Sequence, residues 1–264
     1  MLNIVTLIAI ALGLSLIMTL AWYIQRRTGS SGWIDVIWSV AVGIGGVAAA
    51  LMPEPWAVPQ RRIAVGCLVA VWALRLGLHI ASRTHGAQDD PRYAKLMRQW
   101  GARTSRNLFI FLQIQAVAAF VLVLAVRLAA INWRPFPSPF DIAGGGLLMF
   151  AILGEALADA QLRRFGKQNK GLKKVCDVGL WKWSRHPNYF FEWLGWVGWA
   201  VIALMQPWGW LALGAPILMY YLLVFASGIP PLEAHMLASR GDVFRAYMAR
   251  TNAFFPGPLH KVKS

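Results

Sequence analysis

Acidic residues are scarce in this chain. Eleven Asp and Glu stand against 26 Lys and Arg, a formal net charge of +15 over 264 residues. Charge of either sign is thin as well, at 14% against about 25% in an ordinary soluble domain. A soluble nucleic-acid binder shares that sign of charge but not a composition that is 58% hydrophobic. Disorder is excluded by the same figure, because disordered chains are poor in apolar residues. Two cysteines, Cys67 and Cys176, are too few for a disulfide framework or a cysteine zinc site. There is no GxGxxG after a strand, no GxxxxGK[ST], no HExxH and no GxSxG. The five histidines (His79, His85, His186, His235, His260) lack ligand spacing, so no metal is expected. What is present is apolar: mean hydropathy is +0.50, with 14 tryptophans. The chain reads as an integral membrane protein.

A helix needs about 20 residues to cross about 30 Å of hydrocarbon. Met1 to Gln25 and Val36 to Pro53 carry no charge, and Ile63 to Ser82 is interrupted only by Arg75. Asn107 to Val126 is clean, and Ile142 to Leu162 carries only Glu155 and Asp159. Trp193 to Leu232 is free of charge over 40 residues, with Gln206-Pro207-Trp208-Gly209 in its middle, which predicts two helices and a short turn. The expectation is all-α: one polytopic bundle of seven transmembrane helices and a single domain over 1–264. Of the 26 cations, 21 fall in the first, third and fifth loops and the C-terminal tail. That bias predicts an outside N-terminus and a cytosolic C-terminus. The absence of Lys and Arg before the first run argues against a signal peptide.

Loop five holds eight cations: Arg163, Arg164, Lys167, Lys170, Lys173, Lys174, Lys182 and Arg185. Loop three adds Arg83, Arg92, Lys95, Arg98, Arg103 and Arg106. Two readings fit: attraction to anionic lipid headgroups, and a seat for a soluble polyanion such as a phosphorylated cofactor. Ionisable groups inside spans are costly and face the bundle interior. Glu155, Asp159 and Arg163 recur every four residues, so they form one polar stripe, either an ion-pair ladder or a functional face. The densest polar run is Ser184-Arg185-His186-Pro187-Asn188-Tyr189-Phe190-Phe191-Glu192-Trp193. Pro187 suits the first turn of a helix, Asn188 and Glu192 then share a face, and the free N–H groups favour an anion. An interfacial aromatic anchor is the plainer alternative.

The run Gly179 to Trp193 resembles the bacterial DUF1295 branch of the steroid 5α-reductase superfamily. Asp89-Asp90-Pro91-Arg92-Tyr93, Ser227-Gly228-Ile229-Pro230-Pro231-Leu232-Glu233 and the Tyr247 to Pro256 tail extend the likeness over most of the chain. Its Arg-His-Pro-x-Tyr core is shared with sterol reductases and isoprenylcysteine methyltransferases. The resemblance implies a seven-helix enzyme of the bacterial inner membrane, holding NADPH between its helices. It implies reduction of a carbon–carbon double bond conjugated to a ketone in a steroid or similar lipid that enters from the bilayer. Carried over by position, the cofactor contacts are Arg83, Arg92, Tyr93, Glu155, Asp159, Arg163, Lys167, Lys174, Arg185, His186, Asn188, Tyr189, Glu192 and Glu233. Loops 83–106 and 163–188 and the tail 233–264 would cap that site. Asp35 approximates the family's carboxylate at the ketone oxygen, where a buried protonated acid can donate. The family's tyrosine on the third span is absent, and Trp72 and His79 occupy that region.

Two other classes stay open. A membrane methyltransferase using S-adenosylmethionine shares the Arg-His-Pro mouth, but its cofactor has no phosphate to meet the cations of loops three and five. A transporter or lipid-binding scaffold predicts broken helices or inverted repeats, and the sequence displays neither. Nucleic acid is not an expected partner.

Overall fold

A computed structural model describes residues 3–84, 91–204 and 206–259. Every regular element among them is helical. In order these are α1 (Ile4–Thr28), α2 (Ile34–Leu51), α3 (Pro59–Thr84), α4 (Pro91–Trp100), α5 (Thr104–Ala130), α6 (Pro139–Gln168), α7 (Pro187–Ala203), α8 (Gly214–Tyr221), α9 (Ile229–Arg240) and α10 (Asp242–Arg250). The starts follow local chemistry. The Asn3 side chain accepts from Val5 N at 3.0 Å and caps α1. Proline opens α3, α4, α6 and α7, where its missing N–H costs nothing and its φ is already helical. Gly29, at φ 72°, ends α1 in the left-handed conformation.

Among the described residues, six helical stretches are long and apolar enough to cross a membrane: Ile4–Thr28, Ile34–Leu51, Pro59–Thr84, Arg92–Ala130, Pro139–Gln168 and Gly209–Arg240. The expected turn within the 40-residue apolar run is present. Trp208 adopts φ 68°, and a Cβ on Gly209 would lie 2.0 Å from the Ala203 carbonyl oxygen, so only glycine fits there. The helix before that turn, α7, has 17 residues. The stretch after it contains a π-helical turn at Leu222–Ala226.

The chain divides into two compact units, Met1–Ile142 with Trp199–Ala215, and Ala143–Gly198 with Pro216–Ser264. In the first, α2 packs against α1, α3 and α5. Gly43 and Gly46 let α2 approach Ala73 and Val69 of α3, since a Cβ would come within 2.4 and 2.8 Å of their side chains. The other face of α1 presents Leu12, Leu16 and Leu20 outward, as a lipid-facing helix does.

Two of the cations outside the basic loops turn out to be fully buried. Arg127 donates to the Ala49 and Met52 carbonyls at 2.9 and 2.8 Å and to Glu54 at 2.8 Å. It thereby satisfies carbonyls that the end of α2 leaves without helical partners. Arg61 grips Asp141 through Nε and Nη2 at 2.8 and 2.6 Å and also reaches the Arg134 and Pro135 carbonyls. These arginines join chain ends from several helices. Arg127→Leu should therefore destabilise the protein by about 3–5 kcal/mol, because it leaves the Glu54 charge buried and unpaired. The double variant with Glu54→Leu should recover most of that loss in detergent-solubilised thermal unfolding.

Candidate active site

The second unit gathers the predicted mouth. Antiparallel α6 and α7 touch through small residues. A Cβ on Gly154 would overlap the Phe191 ring, Gly195 lies on Ala151 and Leu148, and Gly198 sits against the Gly144 carbonyl. This register brings Asn188 to Asp159, with Nδ2 donating to Oδ1 at 3.2 Å, and sets Glu192 level with Glu155. Glu155, Asp159 and Glu192 are all buried, and Glu192 accepts from Trp196 Nε1 at 2.9 Å. The polar stripe expected on α6 thus faces inward, with Arg163 exposed one turn beyond Asp159.

Residues 184–188 are held in a clasp. Glu233 Oε1 accepts from Arg185 Nε at 2.7 Å and lies 3.0 Å from His186 Nε2. Arg185 also donates to the Met248 and Thr251 carbonyls. Its backbone N–H binds the Asn252 carbonyl at 2.8 Å, and Ser184 Oγ donates to the Ala253 and Phe254 carbonyls. Tyr247 closes the back through the Trp181 carbonyl. Phe190, Trp193, Tyr220, Phe254 and Phe255 pack edge to face around the tail with centroids 5.1–6.1 Å apart. Glu233 is therefore spent on Arg185 and His186, and Arg185 braces the tail. The neighbouring loop is fixed by Val175, which packs on Phe244 and Tyr247. Burial pushes the Cys176 thiol up to about 11, so it is inert. Burial likewise raises the Tyr247 phenol.

His186 stacks on Tyr189 at 5.5 Å and 12°. With Nε2 committed to Glu233, its buried Nδ1 finds no hydrogen-bond partner among the described residues. By contrast, the end of α6 and the following turn present Arg164, Lys167, Lys170, Lys173 and Lys174, all exposed. Among the described residues their side chains make no hydrogen bond or ion pair. The unit thus holds exposed cations and one buried ring nitrogen that the described residues leave without hydrogen-bond partners.

In the first unit, Asp35 lies in the first turn of α2. Its Oδ1 accepts from the Tyr93 hydroxyl at 2.8 Å, and its Oδ2 pairs with Arg92. Gln115 Nε2 donates to the Tyr93 oxygen at 3.2 Å. Asp35 is thus an acceptor in both bonds, and the cluster's donor hydroxyl is Tyr93. Trp72 is buried and His79 half-buried on α3, on the same stripe as Arg83, which is exposed in the last turn. Asp89 and Asp90 of the acidic-Arg-Tyr element lie outside the described residues. Sequence reading missed Gln115 and Thr251; Gln115 was signalled by being one of two glutamines in the apolar run Asn107 to Val126. The other, Gln113, staples α5 to Ser15 and Thr19 of α1.

The chain matches the family described as "Protein of unknown function (DUF1295)" over residues 21–251. It belongs to the DUF1295 family. That family lies within the steroid 5α-reductase-like superfamily. No curated protein and no solved structure matches the chain. Every segment of the clasp except the last residues of the tail falls inside the matched DUF1295 region.

Burial holds His186 below the usual histidine range, while its bond to and the charge of Glu233 oppose the shift. The unfolded chain therefore binds a proton more readily than the folded one. Stability attached to neutral His186 is complete above about pH 6.5 and is lost as pH falls below it, levelling off beneath the folded value. The thermal midpoint should drop between about pH 7 and pH 5, and His186→Gln, which keeps a donor toward Glu233, should flatten that drop.

Proposed function

We propose that this DUF1295 protein is an NADPH-dependent membrane oxidoreductase. It would reduce the carbon–carbon double bond of an α,β-unsaturated ketone in a steroid or similar flat lipid. The observation that carries the reading is the inward Asn188–Asp159 contact, followed along the chain by Arg164, Lys167, Lys170, Lys173 and Lys174, which are exposed and make no side-chain hydrogen bond or ion pair among the described residues. Lys167 and Lys174, with Arg163, would meet the cofactor phosphates. Asn188, Asp159, Glu155 and Glu192 would line its buried part. NADPH, when bound, supplies the hydride.

The chain's residues supply the rest. Negative charge develops on the ketone oxygen as the β-carbon takes hydride, and a positioned donor lowers that barrier. The Asp35 cluster, with its buried tyrosine, provides such a donor. Trp72 and His79 on α3 would complete the substrate's surroundings, and Arg83, Arg92 and Tyr189 the outer cofactor contacts.

Topologically, α7 would be the seventh span, since its 17 residues reach the lower end of the length range of spanning helices. The basic loops would then lie in the cytosol and the N-terminus outside, in a bacterial inner membrane. The burial of Arg61 and Arg127 supports that orientation, because it leaves the opposite loops with little free positive charge.

Purified protein should bind NADPH, quenching and shifting its fluorescence, more tightly than NADH. A hydrogen bond to a charged group contributes about 1.5–3 kcal/mol, so Lys167→Gln or Asn188→Ala should weaken NADPH about 10-fold or more. Binding of S-adenosylmethionine in place of NADPH would move the protein to the methyltransferase class.

A further inference from the structure

A cavity of about 200 Å³ opens in the first unit at the start of α3, the opposite end of that helix from α4. Ala64, Val65 and Leu68 form one wall, recurring with Arg61 at the spacing of a single helix face. Phe136 and Ile142 form the other wall, and Ile202 closes the back. Its charged members are sealed. Arg61 spends all five of its N–H donors, on Asp141 and on the Asn132, Arg134 and Pro135 carbonyls. Asp141 takes two of those bonds and two more from Ser138 N and Oγ, each at 2.7 Å. The lining side chains therefore keep no donor to hold water, and a cavity without polar partners stays dry.

We propose that this cavity seats the end of an acyl chain from a membrane phospholipid. Ile142 and, beside Ala64, Ile63 are exposed, so the cavity borders faces of α3 and α6 that meet lipid. Trp56 and Trp133, exposed at the same end of the unit, sit where an aromatic belt marks the membrane interface. From Arg61 to Leu68 the helix advances about 10 Å, inward from that belt and along the direction of the lipid chains. An engineered cavity of about 150 Å³ holds benzene. This one is larger and follows two turns of α3, which suits a chain end better than a flat ring. Release of water is not the driving force, since the chain leaves hydrocarbon for hydrocarbon. Dispersion is: wall atoms that face a void forfeit contacts, and an entering chain restores them. An anionic headgroup has no place inside, because Arg61 has no donor left for it.

The test titrates the full-length protein, purified in a steroid-based detergent that has no alkyl chain, with a phosphatidylcholine whose acyl chain ends in a diazirine. After illumination, peptide mass spectrometry compares the label on residues 61–68 and 136–142 with that on the outward face of α1, which carries Leu12, Leu16 and Leu20. A seated chain should label both cavity segments to a plateau at low lipid, while the label on α1 keeps rising with lipid. Ala64→Phe, which fills the cavity, should lose the label on residues 136–142 and keep that on α1. Leu68→Phe should give the same loss from the inner end, and it serves where Ala64→Phe fails to fold. Cavity label that rises in parallel with α1, or that survives filling of the cavity, would reduce the contact to ordinary surrounding lipid and overturn the seat. A cavity that takes no label, as a ring-shaped or watery occupant would leave it, would overturn the acyl-chain assignment.

Discussion

In hydrocarbon no water is available to satisfy a polar group, so every charge buried in the spanning part of this protein must be answered from within the chain. The rest of the architecture follows from how that demand is met. Arg61 and Arg127 are buried because carbonyls and carboxylates are delivered to them from several helix ends. Glu233 is tolerated because Arg185 and His186 converge on it. The clasp it forms ties α9 and the tail to the start of α7, and so fixes the attitude of Asn188 toward Asp159. A single carboxylate therefore organises the mouth without needing to touch a ligand.

The two kinds of cation divide the work. Arginine, planar and with several fixed donors, is used where the fold needs multiple partners at once: Arg61, Arg92, Arg127, Arg185 and Arg250 all hold a carboxylate. None of the described lysines makes a side-chain hydrogen bond or ion pair with the described residues. Four of them, Lys167, Lys170, Lys173 and Lys174, crowd the end of α6 and the turn after it. The exposed lysines at the end of α6 and in the turn after it, with Arg164, find no partner among the described residues, and the proposed phosphorylated cofactor would meet that charge.

Much of this was legible in the residues. Charge-free runs located the apolar helices, Pro187 marked the start of α7, and Gln206 to Gly209 marked the turn. The four-residue spacing of Glu155 and Asp159 placed them on one face, and that face is buried. Partner choice was not legible. Glu233 looked like a ligand contact by position, yet its oxygen is occupied by residues nearly fifty positions earlier. Asp35 suggested a buried acid, but Tyr93 and Arg92, contributed by a short helix from a basic loop, make it an acceptor. Such pairings are set by tertiary approach, which neither periodicity nor composition encodes. The residue content of loop three likewise suggested only positive charge, while its Tyr93 is among the most buried polar side chains near α2.

The proposed activity is transfer of hydride from NADPH to a conjugated lipid ketone. Turnover with NADPH deuterated at the transferring position, in the presence of a 3-oxo-Δ4-steroid, tests it most directly. The account predicts deuterium at the β-carbon of the reduced product and a solvent-derived proton at the α-carbon. Across a panel of such enones, a complete absence of deuterium transfer by protein that is folded and membrane-reconstituted would contradict it.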